Sequence, residues 1–219
     1  MADDGGMLAR LAGPLAGLFA RRGGRWVALA VLFAAMAAAP FALGEYATVI
    51  LTNALLYVVL ALGLNVVVGY AGLLDLGYAA FFAVGAYTVG ILTLRAGMNF
   101  WLTLPAAVVV AAVAGVVVGG PTLRLRSDYL AIVTLGFGEI VRITARNLAI
   151  TGRASGLSGI RQPWLFGWHI ATPRDFYYVF CVLATAAAIV SARLADSRLG
   201  RAWLYVRYDE DAAEAMGID

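Results

Sequence analysis

The chain has 219 residues, 63% of them hydrophobic and only 13% charged, with a formal net charge of +3. A soluble domain is nearer half apolar and a quarter charged, so a water-surrounded globular fold is excluded and lipid must be the solvent for most of the surface. The basic excess carries no nucleic-acid signal, and all sixteen basic residues are arginine.

A hydrocarbon core of about 30 Å needs roughly 20 apolar residues per helix, and six stretches reach or approach that length. Residues 1–25, with Arg10, Arg21, Arg22 and Arg25, read as a cytoplasmic amphipathic lead-in. The run Trp26–Leu43 follows. At 18 residues it is longer than the roughly 7–15 of a signal-peptide core, so a retained first helix is expected. Tyr46–Val68, with Thr52, Asn53 and Asn65 inside it, is the clearest span. Leu76–Leu94 and Phe100–Gly119 are the next two, and Tyr129–Ala145 holds Glu139 and Arg142 within it. Phe176–Ala192 is the sixth and contains the single cysteine, Cys181. The runs are continuous rather than alternating, and backbone groups cannot go unpaired in hydrocarbon. The predicted fold class is an all-α polytopic transmembrane helical bundle of about six membrane segments. Residues 26–192 form its membrane domain and 193–219 a cytoplasmic tail.

Arginine placement sets the orientation. With the N-terminus inside, ten arginines fall on the cytoplasmic side and five outside, the latter mostly in the loop from Asn147 to Asp175. Between the second and third spans, Gly69 to Gly77 is too short for an ordinary loop and too apolar for a solvated one. It reads either as a re-entrant element lined by protein or as a tight turn at the membrane surface.

Intramembrane charge is costly, about 3 kcal/mol or more on insertion scales. Glu139 and Arg142 stand three apart on one helix face and can pair. They read as a pathway-lining or gating pair or as a structural ion pair locking two helices. Asp75 reads as pathway polarity or as a cap before Leu76, and Asn65 is a further polar candidate for the translocation pathway. Gly115 and Gly119 form a small-xxx-small pattern that favours close helix packing. Cys181 has no disulfide or ligand-spaced partner, and His169, in an aromatic loop, reads as a loop or interface residue. There is no GxxxxGK[ST] phosphate loop and no lysine to complete one, nor any HExxH, CxxC or GxSxG element. Neither an enzymatic site nor a cofactor or metal is expected.

The tail is basic and amphipathic from Arg193 to Trp203. The acidic run Asp209, Glu210 and Asp211 then opens a short alanine-rich helix, where negative charge suits the N-terminal dipole, and Gly217 is placed to end it.

Four segments together resemble the branched-chain amino acid ABC permeases of the LivM family. They are Leu64–Tyr78 with Ala80–Thr88, Pro121–Arg142, Gly156–Ile160, and Ser197–Trp203 with Asp209–Ile218. The resemblance implies that Asp209, Glu210, Ala212, Ala213, Glu214 and Gly217 belong to an EAA-type coupling loop that fits a groove on a separate ATPase. It implies a second related permease, ABC ATPase subunits and a periplasmic substrate-binding protein as partners, in a bacterial inner membrane. Arg153 departs from the family pattern, standing in Thr151–Gly156 where a glycine-rich run is usual, and Leu204–Tyr208 departs from a more charged run. Family members continue through further spans, so the chain is expected to be a fragment, a truncated reading frame or a half whose remainder is encoded separately. Urea and other amide permeases share the architecture. A stand-alone channel or carrier would show internal repeats and mid-membrane coupling carboxylates, of which Glu139 is the only one in sight.

Overall fold

The computed structural model describes residues 34–122, 127–160, 162–165 and 168–218. The lead-in and the first part of the first predicted span lie outside the described residues. The described part of α1 covers 34–42. α2 is Gly44–Asn65, continued by a π-helical turn at Val66–Tyr70. α3 is Tyr78–Arg95, α4 Phe100–Thr122 and α5 Ser127–Asn147. A 3₁₀ turn at Arg153–Ser155 and a two-residue hairpin, β1 Trp164–Leu165 with β2 Trp168–His169, lie in the loop before α6, Pro173–Ala195. α7, Arg198–Tyr208, and α8, Glu210–Ala215, form the tail. The fold is an all-α membrane bundle.

Four helices among the described residues are long and apolar enough to cross a membrane: Gly44–Tyr70, Tyr78–Arg95, Phe100–Gly120 and Pro173–Ala195. α5 is long enough at 21 residues, but its charges leave it below that apolar standard. The surface of these helices is what lipid requires. Val108, Val109, Val113, Val116 and Val117 of α4 are all more than half exposed, Val116 by 74%. In water such a wall would be a severe aggregation liability; against acyl chains or a neighbouring subunit it is an ordinary surface. Buried polarity is correspondingly local. The hydroxyls of Thr48, Thr52, Thr88, Thr103 and Thr122 each donate to a carbonyl three or four residues earlier on their own helix, at 2.7–2.8 Å. Such back-bonding satisfies the hydroxyl without a partner helix.

The chain divides into two compact units. In the first, residues 1–55 and 173–182, Tyr177 and Tyr178 on α6 donate their hydroxyls to the carbonyls of Met36 and Ala37, each at 2.9 Å. The Arg174 guanidinium stands 5.5 Å from the centre of the Phe41 ring, a cation–π distance. Cys181 is half-buried on α6 in this unit.

In the second, residues 56–172 and 183–219, α3 packs against α4 and α5. Phe81 of α3 meets Phe137 of α5 at 5.5 Å between ring centres, and a Cβ on Gly115 would touch the Phe81 ring at 3.9 Å. Gly119 faces open space within the described residues. Of the predicted close-packing pair, only Gly115 is drawn into a helix contact.

Contacts within this second unit define two ends. At one, Arg95 donates to the Ala149 carbonyl at 3.4 Å and the Trp101 indole N–H donates to the Trp164 carbonyl. The His169 ring meets Trp164 across the hairpin in a tilted arrangement, with 4.9 Å between ring centres. At the other, Tyr70 meets Ser191, and Arg207 of α7 meets Gly69. The alternation of spans predicted from the sequence puts the 69–77 connection and the tail on one side, and these contacts agree with it.

The loop after α5 is closed by Thr151, whose hydroxyl donates to the Ala145 and Leu148 carbonyls at 2.6 and 2.8 Å. Gly152 follows at φ 81°, where a side chain would collide with the Gly156 carbonyl. Arg153 is left-handed at φ 55°. That conformation costs a non-glycine residue roughly 1–2 kcal/mol. Arg153→Gly is therefore expected to raise the unfolding midpoint of the detergent-solubilised protein by a few degrees, corresponding to about 1 kcal/mol. A lowered midpoint would show that the side chain contributes more than the strain costs.

Candidate functional site

The site grows out of a broken helix. α2 is regular to Asn65 and then widens into the π turn, where the Ala71 N–H reaches back to the Val66 carbonyl at 3.3 Å. Leu73 N–H reaches further, to the Val67 carbonyl at 3.2 Å. The Asn65 side chain lies across Gly69, so that a Cβ there would stand 2.1 Å from its Oδ1. From Ala71 to Gly77 the backbone is irregular, and its groups need partners from elsewhere.

Those partners come from its own carboxylate and from α5. Asp75 Oδ1 accepts the N–H of Gly77, the residue before α3, at 2.8 Å. The Leu76 N–H donates to Thr134 Oγ1 at 3.0 Å. Gly77 is buried against the α5 backbone, where a Cβ would sit 2.3 Å from the Thr134 carbonyl oxygen, and its Cα lies 3.7 Å from the Cβ position of Gly138. Thr134 is seven residues along α5 from Ser127, about 10 Å at 1.5 Å per residue. The non-helical segment thus enters to the depth of the second to third turn of α5. α5 lines the segment on one side, while Leu74 and Leu76 remain exposed.

About two turns further along α5, Arg142 closes a bidentate ion pair on Glu139, Nε to Oε2 at 2.8 Å and Nη2 to Oε1 at 2.5 Å. The pair is confined to one helix, so among the described residues it does not lock two helices together. Its side chains are 54% and 51% exposed. Beside it lies a cavity of about 290 Å³ lined by small and apolar residues, among them Gly77, Ala80, Ala83, Leu135 and Gly138. Mutual neutralisation lowers the cost of carrying two charges in the membrane, while their exposure leaves them facing whatever occupies this side of α5. Asn65, Asp75 and the Glu139–Arg142 pair thus all lie along the broken helix and the α5 face that holds it.

The tail is built by two caps. Ser197 accepts the Gly200 N–H at 3.1 Å and opens α7, and Gly200 packs against the carbonyls of Leu194 and Ala195, too close for any Cβ. Asp209 ends α7 in an extended conformation and caps α8, its Oδ1 accepting the Ala212 N–H at 3.0 Å. Ala213 is buried, whereas Ala212 and Glu214 are exposed. The side chain of Glu210 lies outside the described part of the chain. Gly217, at φ 82°, turns the chain back so that Ile218 N–H reaches the Ala213 carbonyl at 3.0 Å.

Sequence reasoning missed two contacts here. Thr134 gave no signal, because a threonine in a membrane helix ordinarily bonds its own backbone. The contact of Arg207 with Gly69 joins residues 138 apart in sequence, at 2.5 Å, and no periodicity reports such a pairing.

Residues 46–219 match the family model described as the branched-chain amino acid transport system/permease component. The chain belongs to this family. It is 44% identical to the high-affinity branched-chain amino acid transport system permease protein LivM of Escherichia coli, over 88% of this chain and 50% of that protein. The Salmonella typhimurium protein of the same name is 43% identical over 82% of this chain and 48% of that protein. A probable branched-chain amino acid transport permease protein LivM of Methanocaldococcus jannaschii is 28% identical over 75% and 57%. No solved structure matches. The chain spans about half the length of the curated relatives it matches. As a member of this permease family with four membrane-length helices among the described residues, it is an integral membrane protein.

Proposed function

We propose that this chain is a membrane-spanning portion of a permease subunit in an ATP-driven importer that moves branched-chain amino acids across a bacterial inner membrane. ATP hydrolysis then belongs to separate ATPase subunits, and a second related permease and a periplasmic binding protein complete the assembly. The observation that carries the reading is the tail of this family member, where α7 leads from the last described membrane helix to a capped helix, α8, that is followed by a left-handed glycine. A short rigid helix at that point offers a soluble partner a defined surface. The N-terminus lies in the cytoplasm on this reading, because the arginine-rich lead-in and the tail then share the side on which the ATPase binds. Residues 193–219 are the coupling segment, and Asp209, Glu210, Ala212, Ala213, Glu214 and Gly217 form its docking surface.

Affinity purification of the chain from membranes is expected to recover an ABC ATPase. Gly217→Arg or Glu210→Lys is expected to lower that recovery about tenfold or more, the effect of disrupting a central interface residue. Transport by the purified chain in liposomes without any ATPase would overturn the reading in favour of a channel or carrier.

A further inference from the structure

Gly69 stands in the last turn of the helix, so its carbonyl has no donor within the helix. In a continuous α-helix the N–H of residue 73 would donate to it, but the Leu73 N–H is engaged by Val67 instead. Arg207 takes the place, its Nη1 donating to the Gly69 carbonyl at 2.5 Å. The stem of the same side chain covers Gly72. A Cβ there would lie 2.6 Å from Arg207 Cγ, and Gly72 is left-handed at φ 74°. Arg207 thus holds both the last turn of the broken helix and the first bend of the irregular segment.

On its other side Arg207 is two residues from Asp209, the single residue that both ends α7 and caps α8. Only Tyr208 and the extended Asp209 separate Arg207 from α8. The far end of the irregular segment is clamped to α5 by Leu76 on Thr134 and by Gly77 against the Thr134 carbonyl. A path therefore runs from α8 along the backbone to Arg207, by its contacts to Gly69 and Gly72, along segment 72–77, and by the contacts on Thr134 to α5, the helix that bears Glu139 and Arg142. Coupling between distant sites is carried by such paths where an element along them can adopt two arrangements, and a stretch of non-helical backbone between two clamps is suited to be that element.

We propose that Arg207 is a positioning residue, the strut through which movement of the ATPase-docking helix α8 is transmitted to the non-helical membrane segment 71–77 and so to the α5 face. The proposal rests on the reading of α8 as the docking helix. It is tested in the transporter assembled with its ATPases and binding protein in liposomes, where leucine uptake and ATP hydrolysis are measured together. Arg207→Ala is expected to keep ATPase co-purification and hydrolysis while uptake per ATP falls about tenfold, the scale of one hydrogen bond to a charged group. Arg207→Lys keeps the charge but not the planar fork, and is expected to restore part of the coupling. Tyr70→Phe removes the 3.1 Å contact of the same turn with Ser191 and serves as the structural comparison. It is expected to lower thermal stability and leave uptake per ATP within twofold.

Unchanged coupling in Arg207→Ala would overturn the strut. So would loss of ATPase binding in that variant, which would make Arg207 part of the docking surface, and so would equal uncoupling by Tyr70→Phe. Failure of the unsubstituted chain to recruit an ATPase is a separate result, which overturns the docking reading and the strut together.

Discussion

Replacing Gly77 by alanine is expected to lower the yield of folded protein several-fold and its unfolding midpoint by many degrees. The added Cβ would stand 2.3 Å from the Thr134 carbonyl oxygen and 2.9 Å from its carbon. Both are backbone atoms in the middle of α5, so no flexible side chain can swing aside. Gly77 itself lies at φ −92° and ψ 0°, which alanine adopts without difficulty, so the penalty is steric rather than conformational. Overpacking of this kind costs about 1–3 kcal/mol or more. Separating Gly77 from α5 would also pull the Leu76 N–H off Thr134 Oγ1, costing a backbone donor its partner. Gly119→Ala is the matched comparison, since nothing lies within 4 Å of its Cβ position and alanine favours a helix interior by up to about 1 kcal/mol. Fluorescence-detected size exclusion with thermal challenge would compare the two. Equal behaviour of Gly77→Ala and Gly119→Ala would show that segment 71–77 is not held against α5.

The contrast between those glycines also marks what could be read from sequence. Gly115 and Gly119 stood out because their spacing matches a known packing pattern, yet only Gly115 meets another helix. Gly77 and Gly138, which make a closer approach, are 61 positions apart, and one lies in a loop, so no helical period links them. The spans were legible because hydrocarbon imposes one length and one backbone solution. The predicted Tyr46–Val68, Phe100–Gly119 and Phe176–Ala192 differ from the observed helices only by a few terminal residues. The cap at Asp209 and the stop at Gly217 were legible for the same kind of reason, being local. The chemistry of the broken helix was only half legible. Gly69 to Gly77 announced a break, and Asp75 was seen as a cap, but the π turn depends on which carbonyls find outside donors. Arg207 supplies one of those donors from the far end of the chain. A single arginine in a tail already rich in arginine carries no mark of where its guanidinium will land.

Neutralising one member of the Glu139–Arg142 pair is expected to harm the protein far more than neutralising both. The pair is bidentate and confined to one helix, so each charge has the other as its main compensation within the chain. Glu139→Gln leaves an uncompensated guanidinium in a membrane helix, and Arg142→Gln leaves a carboxylate. An unpaired charge on a membrane helix disfavours folded, membrane-inserted protein. Half-exposed side chains find water or a neighbouring subunit in part, and the observed loss is expected to be about tenfold. In the double variant the charges vanish together and two amides of similar shape remain, able to hydrogen-bond one another. Its inserted yield is expected to recover to within about threefold of the unsubstituted chain. That non-additivity is the coupling energy of the pair, read by a double-mutant cycle. The cycle also separates two roles for the pair. If it serves only the bundle, the double variant recovers transport together with yield. If it lines the solute's path beside the 290 Å³ cavity, yield returns while leucine uptake in the assembled transporter stays low. Additive losses in yield would mean that neither charge relies on the other, and that the surroundings of α5 in the assembled protein compensate each one separately.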